Sequence, residues 1–406
     1  MSELPPLHPL GEAIATEIAV GTMPLAVDTF GGKLHVEWDP EAAVTPMGQL
    51  SFFIQFLKYG NLFLPWVESC PLHYISNNSS KKVDVLGTIL LSVLSGHYRF
   101  AHIARLAGDD VNRQLLGMHK IISDDSVCRA LKKIDEQKGA QWLQRHLQYC
   151  WGPLLSVPWI LDADVTVKPL FGHQEGAEIG YNPHKPGRPS HTYHTYFIGN
   201  LRVVLDVEIH TGIQGASRFS APGLWDLLSR IPRVHWPRFI RGDSEWGTEE
   251  IMREAEARDV AYLFKLKQHL KVKHCIAKQH RMGGWQRINT DWEVTEDQLQ
   301  LMGWNQSRRV VIMRRRLPKD SLLLLEKEAE EKRQPRLALV EGQDDIRAYE
   351  YSVLVTSLRD EPLSIFYHYR DRADAENNFD ELKNHWGWGG FTSRTLTSCR
   401  LMASNL

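Results

Sequence analysis

The chain has 406 residues, 43% of them hydrophobic and 24% charged, with a formal net charge of −1. That length accommodates two or three domains with a sizeable core, and the composition is that of a globular protein, not a disordered or fibrous one. Five cysteines with no Cys-x-x-Cys pair argue against a disulfide framework and a thiolate zinc site, and a near-neutral total argues against a uniformly basic nucleic-acid binder. The opening MSELPPLHPLGEAIATEIAV lacks the basic-then-apolar order of a secretory signal, and the greasiest stretches are interrupted or too short to span a bilayer. A soluble, intracellular chain with no membrane partner is expected.

Residues 1–46 are rich in Pro and Gly, with one strand-like run, KLHVEW. From about 47 to 150 apolar residues recur at helical spacing. One helix opens on Ser123-Asp124-Asp125-Ser126, a run of good N-cap residues. At residue 151 the texture changes: VPWILDADVTV alternates like a strand, and HTYHTYFIG and NLRVVLDVEIH follow, joined by a turn at Gly199-Asn200. GLWDLLSRI reads as helix, PRFIRGDS as strand, TEEIMREAEARDV as a helix capped by Thr248, and VAYLFKLK as strand. Three hairpin-linked strands followed by alternating helix and strand predict a mixed α/β sheet with flanking helices.

Residues 268–358 break the rhythm with short strands (QRINTDWEV, RRVVIMRRRL, YEYSVLVTSL) and the charged stretch LEKEAEEKRQPR, which reads as a β-rich insertion; helix returns at 362–384. The expected organisation is a helical region over 1–150, a core over 151–267 and 359–406, and the insertion over 268–358.

Three acids stand on elements that ought to be partly buried. Asp162 and Asp164, two apart in WILDADVTV, project from one face of their strand. Asp243 ends the strand FIRGD after Gly242, which lets a chain or ligand approach the backbone closely. Strand ends of α/β sheets are where such folds place their sites, although a single Asp there is also a common turn residue. The third acid lies in YRDRADAENNFDELK, residues 369–383. On one continuous helix with Tyr369 at zero, Arg372 falls at about 300°, Glu376 at about 340° and Lys383 at about 320°. Ala375, Phe379 and Leu382 then form the adjoining apolar stripe. Three such acids could hold a hard divalent cation, Mg²⁺ or its substitute Mn²⁺, through oxygen, in a site suited to in-line phosphoryl displacement.

The spacing Tyr369-x2-Arg372-x3-Glu376-x6-Lys383 resembles the Y-R-E-K signature of DDE transposases of bacterial insertion sequences, and LDADVT, IRGDSEWG and GYNPHKPGRPSH resemble other blocks of that group. The resemblance implies a ribonuclease H-like core interrupted by the β-rich insertion, and a helical N-terminal region that helps to bind DNA. Carried over, Asp164, Asp243 and Glu376 are the catalytic and metal-binding triad. Asp164 is preferred because the block reads D-x-T with Thr166 in place, and Asp162 is the fallback. Tyr369, Arg372 and Lys383 position phosphates. The implied partners are double-stranded DNA, as terminal inverted repeats and target, and a second copy of the chain. The implied setting is the bacterial cytoplasm at the nucleoid.

KLKQHLKVKHCIAKQHR, residues 265–281, carries six Lys or Arg and no acid. With Arg308, Arg309 and Arg314–Arg316 it makes the insertion locally basic. Its Lys265, Lys267, Lys271 and Lys273 are expected on DNA phosphate; the plain alternative is a solvated cationic strand face. Trp285, Trp292 and Trp304 read more readily as core than as base-stacking platforms. His184, His191 and His194 make a poor zinc set, because His191 and His194 face opposite sides of a strand. Lys185 and Arg188, on the same Pro/Gly-stiffened loop, are expected on the DNA backbone. The family pattern continues in helix beyond Leu406. The rival readings are therefore an inactive or truncated copy that only binds DNA, and a metal-dependent nuclease without strand transfer.

Overall fold

A computed structural model describes residues 25–36, 41, 43, 45–76, 78–182, 185–213, 216–318 and 346–405; within these, the side chains of 216–218 and 374–376 are among those outside the description. The expected LEKEAEEKRQPR stretch and His184 also lie outside the described residues.

Strands β1 (Leu25–Thr29) and β2 (Gly32–Val36) pair as a hairpin. Helices α1 (Leu50–Tyr59), α2 (Phe63–Ser69), α3 (Lys82–Leu94), α4 (Asp110–Leu115), α5 (Asp124–Leu131) and α6 (Glu136–Trp151) make up the helical region. The Ser123 hydroxyl accepts the Ser126 N–H at 3.3 Å, as the sequence predicts, while the expected single helix from there to residue 150 is two, the second capped by Asp135, which accepts the Lys138 N–H at 3.0 Å. Trp66 of α2 stacks on Trp142 of α6 with centroids 5.8 Å apart, and the Trp142 indole N–H donates to the Trp66 carbonyl at 2.8 Å. The buried indole thus keeps its polar atom satisfied.

Among the described residues, nine strands form one mixed sheet in the order β5-β4-β3-β6-β7-β11-β10-β9-β8. Here β3 is Ile160–Pro169, β4 Ser190–Ile198, β5 Val203–Thr211, β6 Phe239–Gly242, β7 Ala261–Lys265, β8 Gln286–Arg287, β9 Trp292–Leu299, β10 Arg308–Arg316 and β11 Tyr349–Thr356. The first three form an antiparallel meander, and β6 and β7 run parallel to β3. Helices α7 (Ala216–Ser229) and α8 (Glu249–Ala257) connect β5 to β6 and β6 to β7. This is the mixed α/β sheet with flanking helices that the alternation predicts.

Three features differ from the sequence reading. The strands of the expected insertion do not close a sheet of their own, because β11 pairs with β7 on one side and with β10 on the other. The cation-rich run folds largely as helix α9 (Leu270–Met282), with Val272, Cys275, Ile276 and Gln279 buried at positions i, i+3, i+4 and i+7. The predicted helix over 362–384 is two helices, α10 (Pro362–Arg370) and α11 (Ala373–Asn384), separated by a turn at Asp371-Arg372. The chain closes on α12 (Leu396–Asn405), whose Leu401 and Met402 pack into the core of the N-terminal helices.

Candidate active site at the end of the central strands

Strand alternation divides β3 sharply. Leu161 and Ala163 point into the main core and are fully buried, while Asp162, Asp164, Thr166 and Lys168 share the opposite face. Each of these four meets a partner from outside its own strand. Asp162 is gripped at both oxygens by Arg241 of β6, at 2.5 and 2.6 Å, with both side chains about 1% exposed. Arg241 also donates to the His368 carbonyl at the end of α10. Asp164 accepts from the Arg372 guanidinium at 2.5 Å and from the Val165 N–H at 2.8 Å. Thr166 accepts from the Lys383 ammonium of α11. Lys168 donates to the Tyr193 hydroxyl at 3.2 Å and to the Gly390 carbonyl.

The two candidate carboxylates on the strands stand level. Ala163 pairs with Gly242 in the parallel β3–β6 ladder. Asp164 and Asp243 are therefore the next residues along strands that lie about 4.8 Å apart. Asp243 accepts the Glu245 N–H at 2.9 Å through one carboxylate oxygen. Gly242 serves the fold, contrary to the expectation of a ligand or chain against the backbone: a Cβ there would meet the Trp246 ring at 2.6 Å.

Electrostatics single out Asp164. Burial pushes its pKa up to about 6; Arg372 pulls it down, and the nearby Asp243 carboxylate pushes it further up. The Arg372 side chain is 11% exposed, and its Nε has no hydrogen-bond partner among the described residues, so the guanidinium keeps donor capacity for an anion. Tyr369 of α10 lies within the field of the same groups, and burial raises its phenol to about 12. Burial lowers the pKa of Lys383, against the opposing pull of Asp380 and Asp164.

The residues suit a hard divalent cation in three respects. The donors are carboxylate oxygens, two of them are close enough to penalise each other's charge, and the cation that pairs with Asp164 among the described residues is a side chain that could move to phosphate. Among the described residues no three His, Cys, Asp or Glu form a ligand group. Glu376 sits on α11 just over one turn beyond Arg372, with its side chain outside the description.

The helix break changes the expected geometry. Tyr369 belongs to α10, Arg372 caps α11, and Lys383 lies near the end of α11, so the four-residue stripe is not one continuous helical surface. Arg372 and Lys383 nonetheless reach successive even positions of β3. Phe379 docks α11 edge-on against Phe197 of β4 at 5.3 Å, as the apolar stripe predicts.

The remaining cations divide into two groups. Lys267 pairs with Glu245 at 2.5 Å, two residues from Asp243. Lys265 is half-buried at the end of β7, and Lys271 and Lys273 are exposed on α9. The basic character expected of the insertion is cancelled locally: Arg308 pairs with Glu249 and Glu256, Arg309 with Glu296, Arg314 with Glu293 and Arg315 with Glu350. Lys185 and Arg188, by contrast, both rest on the Phe171 ring, each 4.8 Å from its centroid.

Trp304 is buried, and Trp285 and Trp292 pack against core clusters beneath Arg314 and Arg315. His191 and His194 bond to different elements, at the Glu175 carbonyl and the Ser220 hydroxyl. Sequence reasoning missed Lys168 and Arg241. Lys168 was marked by its even position on β3, while Arg241 carried no local sign, because its role depends on a partner 79 residues away.

Residues 76–405 match the family model described as transposase DDE domain, group 1. Among solved structures the chain is similar to the piggyBac transposase in a cryo-electron-microscopy structure of its synaptic complex with hairpin DNA. The TM-score is 0.42 and the identity 9%, over 90% of this chain and 74% of that one. No curated protein matches the chain. No helix among the described residues is long and apolar enough to cross a membrane.

Proposed function

The chain belongs to the transposase DDE domain family, group 1, and from that premise we propose that it cleaves DNA at transposon ends and joins them to target DNA. The observation that carries this reading is the level pairing of Asp164 and Asp243 on adjacent parallel strands, faced by Arg372 and Lys383 from a separate helix. Asp164, Asp243 and Glu376 are assigned to hold Mg²⁺, with Mn²⁺ as substitute. When bound, such ions supply Lewis-acid stabilisation of the attacking and leaving oxygens of a phosphodiester.

The chain's own groups do the rest. Arg372 has three carboxylates in its field, those of Asp164, Asp243 and Asp162, and an unused Nε, so phosphate can take it from Asp164 while the carboxylate turns to a cation. That exchange replaces one ion pair by two without leaving a buried charge uncompensated. Lys383, held by Thr166, presents a second cation two residues further along β3. Tyr369 keeps its proton at neutral pH and offers a hydroxyl donor to a phosphate oxygen. Asp162 is excluded from the reacting set, because Arg241 occupies both of its oxygens.

A reaction that joins two ends in one event calls for two copies of the chain on DNA, and that assembly belongs to the same proposal. The test is incubation with Mg²⁺ and DNA carrying the element's own terminal repeats. Specific end cleavage, lost in Asp243→Ala and Glu376→Ala, is the expected result. Cleavage indifferent to both substitutions overturns the site, and binding without cleavage overturns the activity.

A further inference from the structure

The connection from β3 to β4 carries a feature that the carboxylate site does not use. Phe171 is 71% exposed although it lies only two residues beyond a central strand. Its ring is flanked by Lys185 and Arg188, and neither cation has a carboxylate partner among the described residues. The acids of the same connection are turned away: Glu175 accepts the Leu396 N–H at 3.0 Å, and the Glu178 Oε2 is buried. The outward surface is therefore aromatic and cationic, and Tyr181 of the same connection is exposed as well.

This surface is built into the fold. Glu178 and Ser190 exchange backbone hydrogen bonds, at 2.9 and 3.4 Å, which fold the connection back against the start of β4. Gly180 packs directly on the end of β5, where a Cβ would fall 1.8 Å from the Gly212 carbonyl oxygen. The Asn182 side chain accepts the Lys185 N–H at 3.0 Å, and Gly187 adopts a φ of +76° in the turn that returns Arg188 to the ring.

An exposed ring is held in place by cations, which it attracts through its face. The same two cations are strong phosphate ligands. When a polyanion claims them, the ring face is released next to the bases. On that basis we infer that Phe171, with Lys185 and Arg188, forms a DNA contact outside the carboxylate site, in which the ring stacks on an unpaired base while the two cations hold its flanking phosphates. The inference rests on the DNA-processing reading above. Phe171 follows Asp164 by seven residues, five of them in β3, so the two lie roughly 20 Å apart. That is less than one turn of a duplex, so both contacts fit on one DNA end.

The test compares a fully paired oligonucleotide duplex with the same duplex carrying one unpaired base, each titrated with the full chain across a series of salt concentrations. Wild type is expected to bind the unpaired-base duplex roughly tenfold more tightly. In Phe171→Ala that ratio falls to about one, and Phe171→Trp restores it. The double variant Lys185→Ala/Arg188→Ala flattens the dependence of log K on log salt by about two. Thermal melts of each variant confirm that an exposed side chain was removed without unfolding the protein. A preference that survives Phe171→Ala, a wild type with no preference, or an unchanged salt slope in the double variant overturns the inference. A wild type that binds neither duplex overturns the transposase reading as well.

Discussion

Asp162 and Asp164 sit two residues apart on one face of one strand, and the fold uses them in opposite ways. Asp162 is sealed, with both oxygens committed to Arg241 and no exposure to speak of. Asp164 is 13% exposed and held by a guanidinium at one oxygen, with a second carboxylate in its field. The difference comes from the neighbouring strand. Register places Arg241 opposite Asp162, while Asp243 falls level with Asp164. One step along the strand thus leads from a carboxylate committed at both oxygens to one held at a single oxygen beside a second carboxylate, a place that gains from a cation.

This contrast can be broken most directly by exchanging the effects of the two acids. Asp164→Asn should reduce end cleavage on the order of a thousandfold, because several kcal/mol of transition-state stabilisation depend on that oxygen pair; a single-turnover cleavage assay reads it. Equal loss in a well-folded Asp162→Asn would erase the distinction. Next in size, Asp162→Ala strands the buried Arg241 and should cost about 3–5 kcal/mol, seen as a lower denaturation midpoint. Asp162→Leu with Arg241→Met should recover most of that, since the paired charges contribute little beyond a well-packed apolar pair.

The third test uses pH in metal-free buffer. Asp164 has a folded pKa of about 6, above its ordinary 3.8. The fold therefore favours the protonated form; the stability this contributes is fully present below about pH 4 and is lost as pH rises through about 6. Relative to Asp164→Asn, wild type should lose about 3 kcal/mol between pH 4 and pH 8. Chemical denaturation at the two pH values measures it, and parallel curves for the two proteins would contradict the assigned environment. The smallest expected effect is that of Thr166→Val, which removes the acceptor for Lys383. It should cost about 1 kcal/mol and weaken DNA binding without abolishing it, as gel-shift titration would show.

Much of this was legible in the sequence. The alternation in WILDADVTV put both acids on one face, the FIRGD strand put Asp243 at a strand end, and the caps at Ser123 and Thr248 hold as written. What the sequence withheld depends on pairing across distance. Nothing local marks Arg241 as the partner that removes Asp162 from the site. The arginines of β10 looked like a DNA-binding patch until the register set Glu293 and Glu350 beside them on neighbouring strands. The helix α9 is a different kind of miss, because its buried i, i+3, i+4, i+7 pattern was present and the charge density hid it. Lys185 and Arg188 were legible as cations, but the Phe171 ring beneath them lies more than a dozen residues away in the chain.

The position of β11 has a dynamic consequence. It is hydrogen-bonded to β7 of the first half of the sheet and to β10 beyond it, and it leads after a few residues into α10. Opening the outer strands therefore exposes the edge of β7 and loosens the helix that ends at Arg370. Amide hydrogens of β10, β11 and β7 should exchange with solvent as one cooperative unit, with a common opening free energy. Breathing at the far edge of the sheet would then be felt as motion of Arg372 against Asp164.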